Sequence, residues 1–266
     1  MQITYERDAR QEQVVNPEIS VIVPVYNCEH IVARSMEYIQ RVLDHLSTDY
    51  ELIVVDDGST DNTSHTVKSY CVRDARVKLM SYSPNRGKGY AVKQGVQLSR
   101  GEKIVFVDGD MDIKPPLLQS YIDALEESDL VVASKYHPDS RVNAPLLRRI
   151  LSLGFHSLVR LALRIEITDT QAGLKGGRAK AFRQIFSKVL VKRYAFDAEM
   201  LAVASLLNCR IAEMPIDIEL NNHFRVNEMI RMFIDIAGVA YRLMVVKWYQ
   251  RNLDNSDPQY RPIIPI

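Results

Sequence analysis

The stretch IVFVDGDMDIKPP, residues 104–116, decides the fold class and the chemistry to expect. It begins with the β-branched and aromatic residues that favour a buried strand. It ends in three acids on alternate positions, Asp108, Asp110 and Asp112. Carboxylates repel one another and resist burial, so such a cluster needs a counter-charge. We therefore expect a cation to bind where this strand ends.

Short apolar runs alternate with helical segments through the first half of the chain. The runs are rich in Val and Ile and largely lack polar alternation, which is typical of parallel strands covered on both faces. They predict strands at 19–25, 51–55, 77–81, 103–107 and 130–133, with helices near 30–45, 60–73, 88–99 and 115–127. This order predicts an α/β fold with an open, doubly wound, mostly parallel sheet.

Polar clusters follow three of these strands. They are PVYN at 24–27, DDGS at 56–59 and DGD at 108–110. In open α/β sheets, ligands bind at the carboxyl ends of the strands, so the three clusters are expected to form one site. The DGST stretch at 57–60 would also suit a turn with a helix N-cap. Three clusters at one edge favour a binding site.

The acids indicate which cation to expect. Carboxylate oxygens suit Mg²⁺ or Mn²⁺, which commonly bridge substrate phosphates. No histidine or cysteine lies near residues 108–112, which argues against zinc. The basic, glycine-rich stretch RGKG at 86–89 suits a diphosphate, although a loop leading into a helix explains it nearly as well.

Composition sets the outer limits. The 266 residues carry a formal net charge of +1, which gives no reason to expect nucleic-acid binding. The three cysteines are scattered, as in a cytosolic protein with reduced thiols. The first residues are polar rather than signal-like, and no apolar run approaches the ~18 residues of a membrane span. We expect a cytoplasmic protein that lies peripherally on the cytoplasmic face of a membrane.

The motifs, taken in order, resemble family 2 glycosyltransferases of the GT-A fold. The resemblance rests on VIVPVYN at 21–27, VVDDGSTD at 54–61 and the DxD element at 108–110. Within the family, the closest resemblance is to polyprenyl (dolichyl) phosphate hexosyltransferases, through NRGKG at 85–89, TDTQAGLK at 168–175 and AFDAEM at 195–200. The first two of these look more like the glucose branch than the mannose branch.

The resemblance implies roles for particular residues. The nucleotide of the donor would be held by Pro24, Tyr26, Asp56, Asp57 and Lys88. The metal, Mg²⁺ or Mn²⁺, would be held by Asp108, Asp110 and Asp112, with Asp110 counted among the catalytic residues.

Further residues are expected around the sugar and the acceptor. Asp169 and Asp197 are the other catalytic candidates. The sugar or acceptor would be contacted by Gln171, Glu199, Lys135 and Arg225. For Glu199 a structural salt bridge fits equally well. The family commonly has arginine where this chain has Lys135. A phosphate there would contact a single ammonium charge rather than a bidentate guanidinium.

The function implied is transfer of glucose or mannose from a nucleotide sugar, UDP-glucose or GDP-mannose, to dolichyl or another polyprenyl phosphate. One alternative is a GT-A enzyme that acts on a saccharide or other hydroxyl acceptor. A second is a nucleotide-sugar binder without activity, against which the acid cluster argues.

The second half of the chain is expected to add membrane-facing helices. We predict a polar extension at 1–17, a catalytic domain at 18–220, an amphipathic helix at 221–252 and a tail at 253–266. Helices are predicted at 146–164, from Phe196, and at 226–250, with a strand at 210–216 and a loop, TDTQAGLKGG, at 168–177. The segments 146–165 and 229–251 mix apolar and basic residues as interfacial helices do. Packing on the sheet, or on a second subunit in a homo-oligomer, is the alternative.

Overall fold

The computed structural model describes residues 16–45, 49–109, 117–169, 172–193, 195–219 and 226–253. The strands are β1 Ile19–Val25, β2 Tyr50–Asp56, β3 Val77–Ser81, β4 Lys103–Val107, β5 Leu130–Ala133, β6 Arg141–Asn143, β7 Leu174–Arg178, β8 Ile211–Met214 and β9 Asp217–Glu219. The helices are α1 Val32–His45, α2 Thr63–Arg73, α3 Lys88–Leu98, α4 Leu118–Ala124, α5 Leu146–Leu163, α6 Ala179–Lys188, α7 Phe196–Leu206, α8 Val226–Ala240 and α9 Trp248–Leu253, with a π-helical turn at Tyr241–Val245.

Seven strands form one sheet in the order β3-β2-β1-β4-β7-β5-β8, and β6 pairs with β9 in a small second sheet. The pairs of β1 with β2 and β4, of β2 with β3, and of β5 with β8 are parallel. Only β7 runs against its neighbours β4 and β5 within the described sheet. The predicted α/β fold with an open, mostly parallel sheet is confirmed, as are its five predicted strands.

The sheet is buried on both faces, as the unalternated apolar strands predicted. Ile22 and Phe106 point to a core shared with α3, α5, α6, α7, α8 and α9. Val21 and Val105 point to the opposite core, against α1, α2 and α4. Because β1 pairs in parallel with β2 and β4, the carboxyl ends of these three strands meet at one edge of the sheet, between the two helix layers.

The predicted loop at 168–177 is wrong at its end, because residues from Leu174 onward form β7 in the middle of the sheet. Two glycines and a lysine conceal this strand in the sequence. A Cβ on Gly176 would lie 3.0 Å from Val105 and 3.2 Å from Val131. Side chains of the flanking strands therefore fill the space above β7, and glycine is what fits.

The predicted single helix at 226–250 is also wrong. Helix α8 ends at Ala240, the π-helical turn follows, and Lys247 has a φ of 51° before α9 begins. No glycine or proline lies between Ala240 and Trp248 to signal the break. Helix α6 and the β6–β9 pair were not predicted. Across the described ranges, no helix is both long enough and apolar enough to cross a bilayer.

Packing of α3 on β1 gives a direct test of this architecture. Gly95→Ala should destabilise the protein by about 1–3 kcal/mol, because the new Cβ would lie 2.4 Å from Cγ2 of Ile22. Gly154→Ala is the matched control, since a Cβ at this helical position meets nothing within 4 Å. It should be neutral or stabilise by up to about 1 kcal/mol. Urea unfolding measures both changes, and equal effects would contradict the packing.

Candidate active site

The loops that follow β1 and β2 are bonded into one unit. The backbone N–H of Asn27 donates to Oγ of Ser59 at 2.9 Å, and the N–H of Thr60 donates to Oδ1 of Asn27 at 2.8 Å. The N–H of Cys28 donates to Oγ1 of Thr63 at 2.9 Å. Asn27 has a φ of 46°, a conformation that asparagine tolerates better than most residues. The predicted clusters at 24–27 and 56–59 therefore form a single rigid rim.

Asp57 is the centre of this rim. Its carboxylate is buried and accepts four hydrogen bonds: from the Tyr82 hydroxyl at 2.8 Å, Nδ2 of Asn85 at 2.9 Å, and the backbone N–H groups of Arg86 at 2.8 Å and Gly87 at 2.7 Å. These bonds fix the segment that leads into α3. Asp57 thus does more than cap a turn, because it orders the basic, glycine-rich loop.

The other predicted nucleotide residues lie at the same rim. Asp56 is buried and accepts bonds from the Ser59 N–H and the Ser81 hydroxyl, each at 2.9 Å. Pro24 is half-buried, and Tyr26 is 49% exposed. Pro24 and Tyr26 therefore offer accessible surface at the rim, whereas Asp56 and Asp57 shape it from beneath.

Asp108 follows β4 and lies in a narrow cradle. Nζ of Lys88, at the start of α3, is 2.5 Å from Oδ1 of Asp108. The pair is close but not aligned as a hydrogen bond, and this buried Oδ1 accepts none from the described residues. On the other side, a Cβ on Gly173 would lie 2.0 Å from Oδ2. Only glycine leaves room for the Asp108 carboxylate in this position.

This cradle fits a divalent cation. Asp108 offers carboxylate oxygens, which are the ligands that Mg²⁺ and Mn²⁺ prefer, and its Oδ1 is held here by the positive charge of Lys88. Asp110 and Asp112, the other predicted ligands, lie outside the described residues, as do Gln171 and Arg225. Their predicted roles stay predictions.

A buried ion pair lies beneath the cradle. Nζ of Lys175, on β7, donates to Oδ1 of Asp197 at 2.7 Å and also to the carbonyl of Ala172. Lys175 has no exposed surface, and its ammonium lies 5.6 Å from the centroid of the Phe106 ring. Burial lowers the pKa of Lys175 and raises that of Asp197. Asp197, predicted as catalytic, is thus bonded to Lys175, to which sequence reasoning gave no role. The available signal was that Lys175 ends the TDTQAGLK stretch at 168–175.

Asp169 and Lys135 form a second pair at the end of β5. Both the backbone N–H and Nζ of Lys135 bond to the Asp169 carboxylate, at 2.9 and 3.0 Å from Oδ2. The charges of Lys88 and Asp169 both act on Lys175, and those of Lys88 and Asp108 act on Asp197. Three ion pairs, Lys88–Asp108, Lys175–Asp197 and Lys135–Asp169, therefore lie within electrostatic reach of one another at this edge of the sheet.

Glu199 bonds to residues outside these three ion pairs. It is fully buried, and its carboxylate bonds to Arg242 at 3.2 Å, to the Tyr249 hydroxyl, and to two backbone N–H groups. Both oxygens are occupied by the protein. The predicted contact of Glu199 with sugar or acceptor has no exposed atom to make it, and the structural salt bridge is what the geometry supports.

Comparison with known proteins places these features in a family. The family model for glycosyl transferase family 2 matches residues 20–186. Dolichyl-phosphate beta-glucosyltransferases are similar over most of their length. That of Dictyostelium discoideum is 33% identical over 251 residues, 88% of this chain and 77% of the relative. That of Mus musculus is 35% identical over 216 residues, 75% of this chain and 67% of the relative.

Solved structures give the same fold. Glucosyl-3-phosphoglycerate synthase from Mycobacterium tuberculosis, in complex with UDP, superimposes with a TM-score of 0.64 at 18% identity, covering 85% of this chain and 79% of that one. The likeness confirms the GT-A architecture that the motifs at 21–27, 54–61 and 108–110 predicted. The chain belongs to glycosyl transferase family 2 and is a glycosyltransferase of the GT-A fold.

Proposed function

We propose that the chain transfers glucose from UDP-glucose to the phosphate of dolichol or a related polyprenol. The observation that carries the proposal is the Asp108 cradle, with Lys88 on one side and Gly173 on the other, at the sheet edge where Asp57 orders the loop into α3. The similar proteins named dolichyl-phosphate beta-glucosyltransferase support glucose over mannose and a lipid phosphate over a hydroxyl acceptor.

A divalent cation belongs to the proposal. Structures of the Mycobacterium tuberculosis synthase contain Mn²⁺ with UDP-glucose, or Mg²⁺ with UDP. In this chain Asp108 would hold the cation, with Asp110 and Asp112 as the further candidates. When bound, such a cation supplies Lewis-acid stabilisation of the diphosphate as negative charge develops on it.

Lys88 is placed to add to this stabilisation. It begins α3, so a diphosphate at this end would meet both an ammonium and the positive end of the helix dipole. Asp57 holds the preceding backbone through the N–H groups of Arg86 and Gly87. The donor site is therefore ordered before the substrate arrives, which is what electrostatic catalysis requires.

The three ion pairs favour a phosphate acceptor over a hydroxyl acceptor. A hydroxyl acceptor needs a carboxylate base, whereas a phosphate is already anionic near neutral pH. Asp197 is held by Lys175, and Asp169 by Lys135. Lys135 is half-buried and offers a point charge to a phosphate at the end of β5. We infer that these acids orient lysines rather than abstract protons.

The lipid acceptor would reach the enzyme from the cytoplasmic face of a membrane. Helices α5 and α8 pack together, with the rings of Phe155 and Phe233 5.3 Å apart. The same helices expose apolar side chains: Leu161 is 83% and Ile234 is 65% exposed. An exposed apolar surface on amphipathic helices that also carry arginines fits the headgroup region of a bilayer.

The proposed reaction can be tested directly. With radiolabelled UDP-glucose, dolichyl phosphate and Mn²⁺, label should enter the organic phase. Asp108→Asn removes the charge that would hold the cation, and Gly173→Ala pushes the Asp108 carboxylate out of its cradle. Each should lower the initial rate by about 100-fold or more, the order that a misplacement of 1 Å causes. Gly154→Ala, the exposed helical control, should keep the wild-type rate.

Full activity in EDTA or in Asp108→Asn would contradict the metal assignment. Label that stays in water-soluble products, with a saccharide as acceptor, would support the hydroxyl-acceptor alternative instead. Faster transfer from GDP-mannose would refute the donor assignment.

A further prediction concerns the membrane. The wild-type protein should co-sediment with vesicles that contain phosphatidylserine, and Leu161→Gln combined with Ile234→Gln should leave it in the supernatant, because the apolar contact is lost. Val72→Gln is the matched control, since Val72 is 88% exposed on α2, against the opposite face of the sheet. If the wild-type protein stays in the supernatant at low salt, the surface on α5 and α8 serves self-association, which sedimentation velocity would detect.

A further inference from the structure

A buried polar cluster joins residues 226–253, here called the C-terminal segment, to helix α7. It consists of Glu199 on α7, Arg242 in the π-helical turn and Tyr249 on α9. Nη2 of Arg242 lies 3.2 Å from Oε1 of Glu199, and Nε of Arg242 donates to the Tyr249 hydroxyl at 3.0 Å. The Tyr249 hydroxyl donates to the same Oε1. Glu199 and Tyr249 have no exposed surface, whereas the Arg242 side chain is 27% exposed. The buried carboxylate of Glu199 would therefore be costly to leave without these donors.

The other oxygen of Glu199 faces a different part of the chain. Oε2 accepts the backbone N–H groups of Leu190 at 2.9 Å and Val191 at 2.7 Å. One buried carboxylate therefore holds the C-terminal segment with one oxygen and residues 189–192, here called the 189–192 segment, with the other.

The 189–192 segment in turn lies along the first turns of α3. Nζ of Lys93 donates to the first carbonyl of the segment at 2.8 Å, and the N–H of Tyr90 donates to the last carbonyl at 3.0 Å. A Cβ on Gly87, the residue before α3, would lie 2.5 Å from that last carbonyl. The segment thus touches the helix at both sides of Lys88, whose ammonium faces Asp108.

The backbone of the C-terminal segment is bent to make these contacts. A π-helical turn is rare, and often marks a functional position. Lys247, which follows it, has a φ of 51°, a left-handed conformation that costs about 1–2 kcal/mol in a non-glycine residue. The break brings α9 back beside Arg242, and the bonds of Arg242 and Tyr249 to Glu199 offset its cost.

We propose that Arg242 and Tyr249 are positioning residues for the donor site. Acting through Glu199 and the 189–192 segment, they hold the start of α3 so that Lys88 faces the donor diphosphate beside Asp108. The inference rests on the proposed function, since it takes Lys88 as a diphosphate contact. It assigns to the C-terminal segment a part in donor binding as well as in lipid contact.

A double-mutant cycle on UDP binding tests this. Isothermal titration with UDP and Mn²⁺ is run on the wild-type chain, Arg242→Met, Lys88→Met and the double variant. Arg242→Met should weaken UDP binding by about tenfold, within the range of coupling between connected residues. In the Lys88→Met background, Arg242→Met should weaken UDP binding by less than about twofold, because no ammonium is left to misplace. If Arg242 were purely structural, its replacement would weaken UDP binding equally in both backgrounds.

Two further variants serve as a control and as an alternative to Arg242→Met. Arg251→Met makes the same chemical change on the exposed side of α9 and should leave UDP affinity unchanged. Tyr249→Phe removes only the hydroxyl, and it serves where Arg242→Met fails to fold. In steady-state assays both cluster variants should raise the KM for UDP-glucose and leave the KM for dolichyl phosphate unchanged.

The outcomes separate the two claims. If the wild-type chain binds UDP and both Arg242→Met and Tyr249→Phe bind it equally well, the positioning inference is wrong and the proposed function stands. If Arg242→Met weakens UDP binding equally in the presence and absence of the Lys88 side chain, the inference is also overturned. A wild-type chain that binds no UDP overturns the proposed function, and this inference with it.

Discussion

The proposed donor site depends on the buried carboxylate of Asp57. A charge withdrawn from water must be met by several donors, and Asp57 has four, two of them backbone N–H groups of Arg86 and Gly87. Those bonds set where α3 begins, and the start of α3 sets where Lys88 points. The chemistry proposed at Asp108, after β4, therefore depends on a residue after β2, two strands away in the sheet, that does not need to touch the reacting groups.

The antiparallel strand β7 gives the site its second half. It enters the sheet between β4 and β5, which brings Gly173 against Asp108 and buries Lys175 below. A buried lysine is tolerated only with a partner, and Asp197 supplies it from α7. The pair ties the helix layer to the sheet near Asp108, so the cradle is built on rigid elements.

Much of this was predictable from the sequence. Unalternated Val and Ile runs gave the five strands, and the polar residues after them gave the site edge, because both follow from local composition. β7 was missed because side chains on the neighbouring strands leave room only for glycine there, and no local sequence pattern reveals that constraint. The break after Ala240 was missed for a similar reason: the residues beyond it bond to Glu199, which is distant in sequence. The sequence identified Asp197 and Glu199 as important, but only the structure gives them lysine and arginine partners.

We propose that the sheet edge at Asp108 binds uridine diphosphate together with a divalent cation. A thermal-shift titration with UDP and GDP, each with and without Mn²⁺, tests it most directly, since a ligand that binds the folded state raises the melting temperature by mass action. We expect UDP to raise the melting temperature in a manner that depends on Mn²⁺, and GDP to raise it much less. A rise of equal size without metal, or a larger one with GDP, would contradict it.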